Sequence, residues 1–153
     1  MHKILLSVLS LLTFTLGVFA QGNDLMIQGS TGNFYLNHTV TPKENYYSVG
    51  RLYNTSPKEL ALFNNLEFDK GLALAQALKI PLNNLNFTQT FTAAPGEVLV
   101  PVYHQVVPKE SLFRTSNLFN KVLLVDLRKW NHLKSDAIPA GSKLIVGYLK
   151  VLK

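Results

Sequence analysis

The sequence predicts an α+β fold of two tandem βααβ modules, each a two-stranded antiparallel sheet with two helices on one face. Three observations carry this. First, His38-Thr39-Val40-Thr41-Pro42-Lys43-Glu44 returns 66 positions later as His104-Gln105-Val106-Val107-Pro108-Lys109-Glu110. Second, the echo continues through Tyr47 with Phe113, Tyr53 with Phe119, Leu60 with Leu127 and Asn64 with Asn131, so one folding unit is present twice. Third, each copy passes from β-type alternation to three- and four-residue apolar spacing, and closes on a β-rich run.

In the first copy, Tyr35 to Thr41 alternates with β-formers and stops at Pro42. Tyr46, Val49, Leu52 and Tyr53 then mark an amphipathic helix closed by Asn54-Thr55. Ser56-Pro57-Lys58-Glu59 reads as a complete helix start, with a Ser cap, Pro at the first position and Glu reaching back. The second helix buries Leu60 and Phe63 and ends at Asn64-Asn65; the closing strand is Ala77 to Leu82. The second copy follows with a strand at Tyr103 to Val107 and a helix burying Leu112, Leu118 and Phe119. A second helix of about Val125 to Trp130 and a last strand from Lys143 to Tyr148 complete it. Most aromatics, including Tyr46, Tyr53, Phe63, Phe119 and Trp130, are expected in the core, because each unit must carry its own in a small fold without disulfides.

The remaining segments set the domain plan. Residues 1–20 read as a cleaved export signal: His2-Lys3, an apolar run from Ile4 to Val18, and small residues at Val18-Phe19-Ala20. The run is short and punctuated by Ser and Thr, and nothing later resembles a membrane span. Residues 21–34, polar and Gly-rich, are read as a flexible leader. Module one is placed at 35–82, a connector at 83–101 and module two at 102–153. With no cysteine, both disulfides and lipid attachment at the signal are excluded. Cleavage of the signal removes one Lys and no acid, taking the formal charge from +6 to +5, which points to an anionic surface in the cell envelope, periplasm or outside the cell. Scattered lysines without an Arg-rich stripe argue against nucleic acid.

Catalytic chemistry finds little support. Glu44 and Glu110 occupy equivalent places in separate modules, so they do not form the flanking carboxylate pair of a glycosidase, and each reads as a helix-start residue. There is no Cys–His or Ser–His–Asp constellation, no metal-ligand spacing and no cofactor motif; His38 and His104 read as structural. Asn37-His38-Thr39, Asn54-Thr55-Ser56 and Asn86-Phe87-Thr88 fit the glycosylation pattern and are read as chance matches.

The Pro-Lys-Glu turn after each first strand, Leu60-Ala61-Leu62-Phe63-Asn64 and Ala75-Gln76-Ala77-Leu78-Lys79-Ile80-Pro81 resemble the LysM family of carbohydrate-binding modules. So do Trp130-Asn131 and Gly141-Ser142-Lys143-Leu144-Ile145-Val146 in the second copy. The turn and the segment Leu127 to Asp136 look like tandem LysM proteins secreted by Bacteroidota. The family's usual Gly-Asp in the turn is replaced by Lys43-Glu44 and Lys109-Glu110. The resemblance implies non-catalytic binding of N-acetylglucosamine-containing glycan, peptidoglycan or chitin-like chains, in a groove between this turn and the loop after the second helix. By position, that groove draws on Lys43, Glu44, Asn45, Leu66, Glu67 and Leu72 in module one. In module two it draws on Lys109, Glu110, Ser111, Leu133, Lys134, Ser135, Asp136 and Ile138. Apolar residues there would floor the sugar ring and polar ones would bond its acetamido group. The rival reading is a scaffold that holds envelope proteins through degenerate grooves. Module two is favoured as the better-preserved site.

Overall fold

The computed structural model describes residues 24–152, so the expected signal at 1–20 lies outside the described residues. Strands β1 (Leu25–Gln28) and β2 (Tyr35–Thr39) precede α1 (Tyr46–Leu52) and α2 (Pro57–Phe63). A single 3-10 turn (Phe68–Lys70) leads to β3 (Ala77–Pro81). Then come β4 (Phe87–Thr88), β5 (Glu97–Gln105), α3 (Leu112–Leu118), α4 (Leu124–Trp130) and β6 (Lys143–Leu152). The two βααβ modules are β2-α1-α2-β3 and β5-α3-α4-β6, and in each the two strands pair antiparallel.

Equivalent positions take equivalent burial. Leu60 and Leu127 on the second helices, Val49 and Thr115 on the first, and Val40 and Val106 after the first strands are all buried. Each fully buried Leu of this kind contributes roughly 1.5–3 kcal/mol relative to exposure. Helix starts differ from the sequence expectation. The reciprocal cap lies on α1, where Asn45 Oδ1 accepts from Tyr47 and Ser48 amides and Ser48 Oγ accepts from the Asn45 amide. Ser56 makes no side-chain cap on α2, and Glu59, rather than reaching back to the helix start, accepts from Asn83 Nδ2.

The larger departures concern the segments between and before the modules. Residues 21–34 were expected to be a flexible leader, yet Leu25–Gln28 is a central strand. It pairs antiparallel with β2 (Ile27 opposite Leu36) and parallel with β5 (Leu25 opposite Val102). The glycines that suggested mobility build the turn back to β2: Gly29 has φ +91°, and a Cβ there would lie 2.2 Å from the Asn33 carbonyl oxygen. Both modules thus share one six-stranded sheet in the order β3-β2-β1-β5-β6-β4, and their buried side chains form one hydrophobic cluster. The expectation of two separately packed cores is corrected accordingly: β1 hydrogen-bonds on both edges and Ile27 packs into the shared interior.

The connector is likewise ordered. Its residues 97–101 extend β5, and Phe87–Thr88 pairs with β6 at the sheet's far edge, where Gly147 makes room for the Phe87 ring. Asn86 is fully buried; its amide donates to the Tyr53 and Pro81 carbonyls and its oxygen accepts from the Asn83 amide. A fully satisfied buried amide fixes the connector to module one, and Asn86 is closed to glycosylation.

Candidate functional site

Each module turns from its first strand into its first helix through a tight β-turn. Glu44 donates its amide to the Thr41 carbonyl, Glu110 donates to Val107, and the third turn residue takes positive φ: 72° at Lys43 and 64° at Lys109. Pro42 and Pro108 stand at the preceding position, as a type II turn favours. A left-handed Lys costs about 1–2 kcal/mol, and the following glutamate offsets it. Glu44 accepts from the Thr41 amide (2.7 Å) and lies 2.9 Å from His38 Nε2. Glu110 accepts from the Val107 amide and the Thr115 hydroxyl, both at 2.9 Å, and sits 2.9 and 3.0 Å from His104 Nε2.

These carboxylates face inward. Glu44 is 15% exposed and Glu110 only 1%. Burial raises both pKa values, but the backbone N–H of the turn and the adjacent histidine more than reverse it, so both carboxyls ionise below their ordinary range. Their role is to hold the turn against the first strand. No oxygen of Glu110 is left to meet a ligand, which removes that side chain from the predicted groove.

The loop after the second helix is tied to the opposite strand. Asn64 exchanges hydrogen bonds with the Lys79 backbone (2.7 Å each way), and Asn131 with Ile145 (2.9 and 2.6 Å). The far end of each loop returns to the turn: the Ala75 amide donates to Val40 and the Gly141 amide to Val106. Turn and loop therefore stand side by side in both modules, with Lys43, Asn45, Lys109 and Ser111 exposed on one wall. On the other, Leu66, Leu72, Leu133 and Ile138 are half-buried against the core, and Glu67, Lys134, Ser135 and Asp136 are exposed. Asn45 and Ser111 spend their side-chain oxygens on helix capping. Asp136 accepts from Arg128 Nε (2.6 Å) and Nη2 (3.0 Å), a two-point pair that orders the loop; that hydrogen-bonded guanidinium lowers the Asp136 pKa.

Three features were missed from the sequence. Phe68 packs on Tyr46 with tilted rings (5.2 Å between ring centres) and meets Tyr47 edge-on (5.9 Å), so module one's loop closes onto its own helix start. The Tyr46 hydroxyl beneath has no partner among the described residues. Phe68 corresponds to Ser135, so module two has no aromatic ring at this position. Tyr47 and Phe113, equivalent helix-start residues, stand 65% and 66% exposed. The repeat alignment held this signal, since a large aromatic recurs at a position outside the apolar stripe.

Among the described residues no His/Cys/Asp/Glu cluster suits a metal ion, and no helix is long and apolar enough to cross a membrane. The architecture defines a tandem-module protein in which the turn and the loop stand side by side on each module. A family model for the LysM domain matches residues 38–81 and 104–147, the two βααβ modules themselves, and the chain belongs to the LysM family. Among solved structures it is similar to the Bacillus cereus spore cortex-lytic enzyme SleL, at 25% identity and a TM-score of 0.34. That match covers 72% of this chain and 22% of the enzyme, so the chain spans a small part of that enzyme's length. No curated protein matches the chain.

Proposed function

We propose that this is an exported, non-catalytic protein that holds N-acetylglucosamine-containing glycan of the cell envelope, peptidoglycan foremost, through its LysM grooves. The observation that carries this is the coincidence of two LysM matches with two modules whose turn and loop are clamped side by side and face outward. A positive-φ turn presents backbone groups to a ligand, and half-buried leucines beside it offer an apolar floor, the combination an acetamido sugar needs.

Module two is the principal site in this reading. Ser135 stands where module one has Phe68, and beside the turn and loop Lys109, Lys134 and Phe113 are exposed while Leu133 and Ile138 are half-buried. In module one, Lys43, Leu66, Glu67 and Leu72 surround a groove partly occupied by Phe68. Without the signal's Lys3 the formal charge is still +5, which favours residence at an anionic wall.

Incubation with insoluble peptidoglycan followed by sedimentation tests the reading. Glycan binding predicts co-sedimentation that N-acetylglucosamine oligomers compete away. A protein free in the supernatant, or one whose sedimentation the oligomers leave unchanged, would overturn it and favour an envelope scaffold.

A further inference from the structure

We propose a second ligand site, separate from both grooves, in the cleft between β1 and module two, where a single neutral sugar ring binds. A pocket of about 210 Å³ lies there, bordered by Gln28 and Gly29 at the end of β1, by His104 and Gln105 at the end of β5, and by Phe34 and Phe119. The two phenyl rings stack at 5.0 Å and form an apolar wall. No carboxylate, lysine or arginine lines the pocket, so it suits an uncharged ligand, and its size admits one ring rather than a chain.

The repeat supplies an internal control for the polar side. In module one, His38 is bonded at both nitrogens, with Nε2 at 2.9 Å from Glu44 and Nδ1 at 3.1 Å from the Tyr53 hydroxyl. Burial and the nearby Glu44 push the Tyr53 pKa up to about 12, so this hydroxyl keeps its proton and remains a donor. In module two, His104 Nε2 faces Glu110 in the same way, but Tyr53 is replaced by Phe119, which meets the imidazole edge-on at 5.1 Å and carries no hydroxyl. His104 Nδ1, the nitrogen whose counterpart in module one meets the Tyr53 hydroxyl, has no partner among the described residues. A ligand O–H aimed at Nδ1 restores what Tyr53 provides next door. Phe34, backed by the buried Phe119, then meets the C–H groups of the ring, and the exposed Gln28 amide meets its other hydroxyls, while Gln105 donates to the Gly141 carbonyl. The inference goes beyond groove binding and does not depend on it.

The test is a titration of the whole protein with glucose and with N-acetylglucosamine monomer, following the His104 imidazole and Gly29 amide resonances by NMR. Saturable shifts are expected in the wild type and in S135F, which fills the module-two groove. A loss of affinity of at least about tenfold is expected in F119Y, whose hydroxyl takes the ligand's place, and in Q28L, which keeps the core intact and decides the matter if F119Y folds poorly. No saturable shift with either sugar, wild-type titration by Q28L and a folded F119Y, or loss of the shifts in S135F would overturn the site. Failure to sediment with peptidoglycan bears on the grooves alone.

Discussion

Module one and module two share a backbone plan and differ in what covers it. Both keep the Pro-Lys-Glu turn with a left-handed lysine, the His–Glu pair behind it and the asparagine that ties the second helix to the last strand. Above that frame, module one packs Phe68 on Tyr46 and Tyr47, whereas module two has Ser135 at the position of Phe68 and holds its loop by an exposed Arg128–Asp136 pair. Beneath it, module one satisfies its histidine with Tyr53, and module two buries Glu110 more deeply and adds the Thr115 hydroxyl to it. The turn is therefore the part both copies need in order to fold, and the loop surface is the part free to diverge.

The largest expected effect tests whether the modules are separable. Leu60→Ala and Leu127→Ala each remove a fully buried side chain and should cost about 2–5 kcal/mol. Because both leucines belong to one cluster spanned by β1, each variant should shift a single unfolding transition; two resolved steps in calorimetry would divide the molecule again. Next, Glu110→Ala should destabilise by about 3 kcal/mol and Glu44→Ala by about 1–2 kcal/mol, since the deeper carboxylate leaves more buried donors unsatisfied; denaturant titration reads the ranking.

The same carboxylates set an acid sensitivity. Their pKa values are lowered in the folded protein, so the stability they contribute is complete above the ordinary Glu value of 4.5 and is lost as pH falls through the lower folded values. Unfolding midpoints should drop over that acidic interval, and E110Q should flatten the dependence more than E44Q does. The smallest effects concern the grooves: S135F should weaken retention on peptidoglycan and F68S should strengthen it, each by about tenfold, or about 1.4 kcal/mol. Equal retention by S135F and the wild type would remove module two as the principal site.

Much of this was legible in the sequence because the repeat reports every position twice. Strand, helix and core assignments at Leu60, Leu127, Val49 and Thr115 followed from it, as did the Pro-Lys-Glu turn beside the loop. What stayed hidden lacked a second copy or a local signature. β1 has four residues between glycine-containing stretches and is held by partners at Leu36 and Val102, so nothing near it in sequence announces a strand. The inward turn of Glu110 depends on three donors that converge only after folding. Phe68 lies in a loop with no periodicity, where an aromatic residue gives no indication of its contacts.

The placement of Leu25–Gln28 also bears on the order in which the sheet is assembled. This strand leaves the ribosome early, yet one of its edges must wait for Val102 and Tyr103, which are made long afterwards. Until they arrive, an apolar segment stands with an open row of backbone donors and acceptors, the kind of edge that invites pairing between nascent chains. Slowing synthesis ahead of Glu97 should lengthen that vulnerable interval, and shortening the chain to begin beyond Gln28 should leave β2 and β5 without the neighbour that joins them.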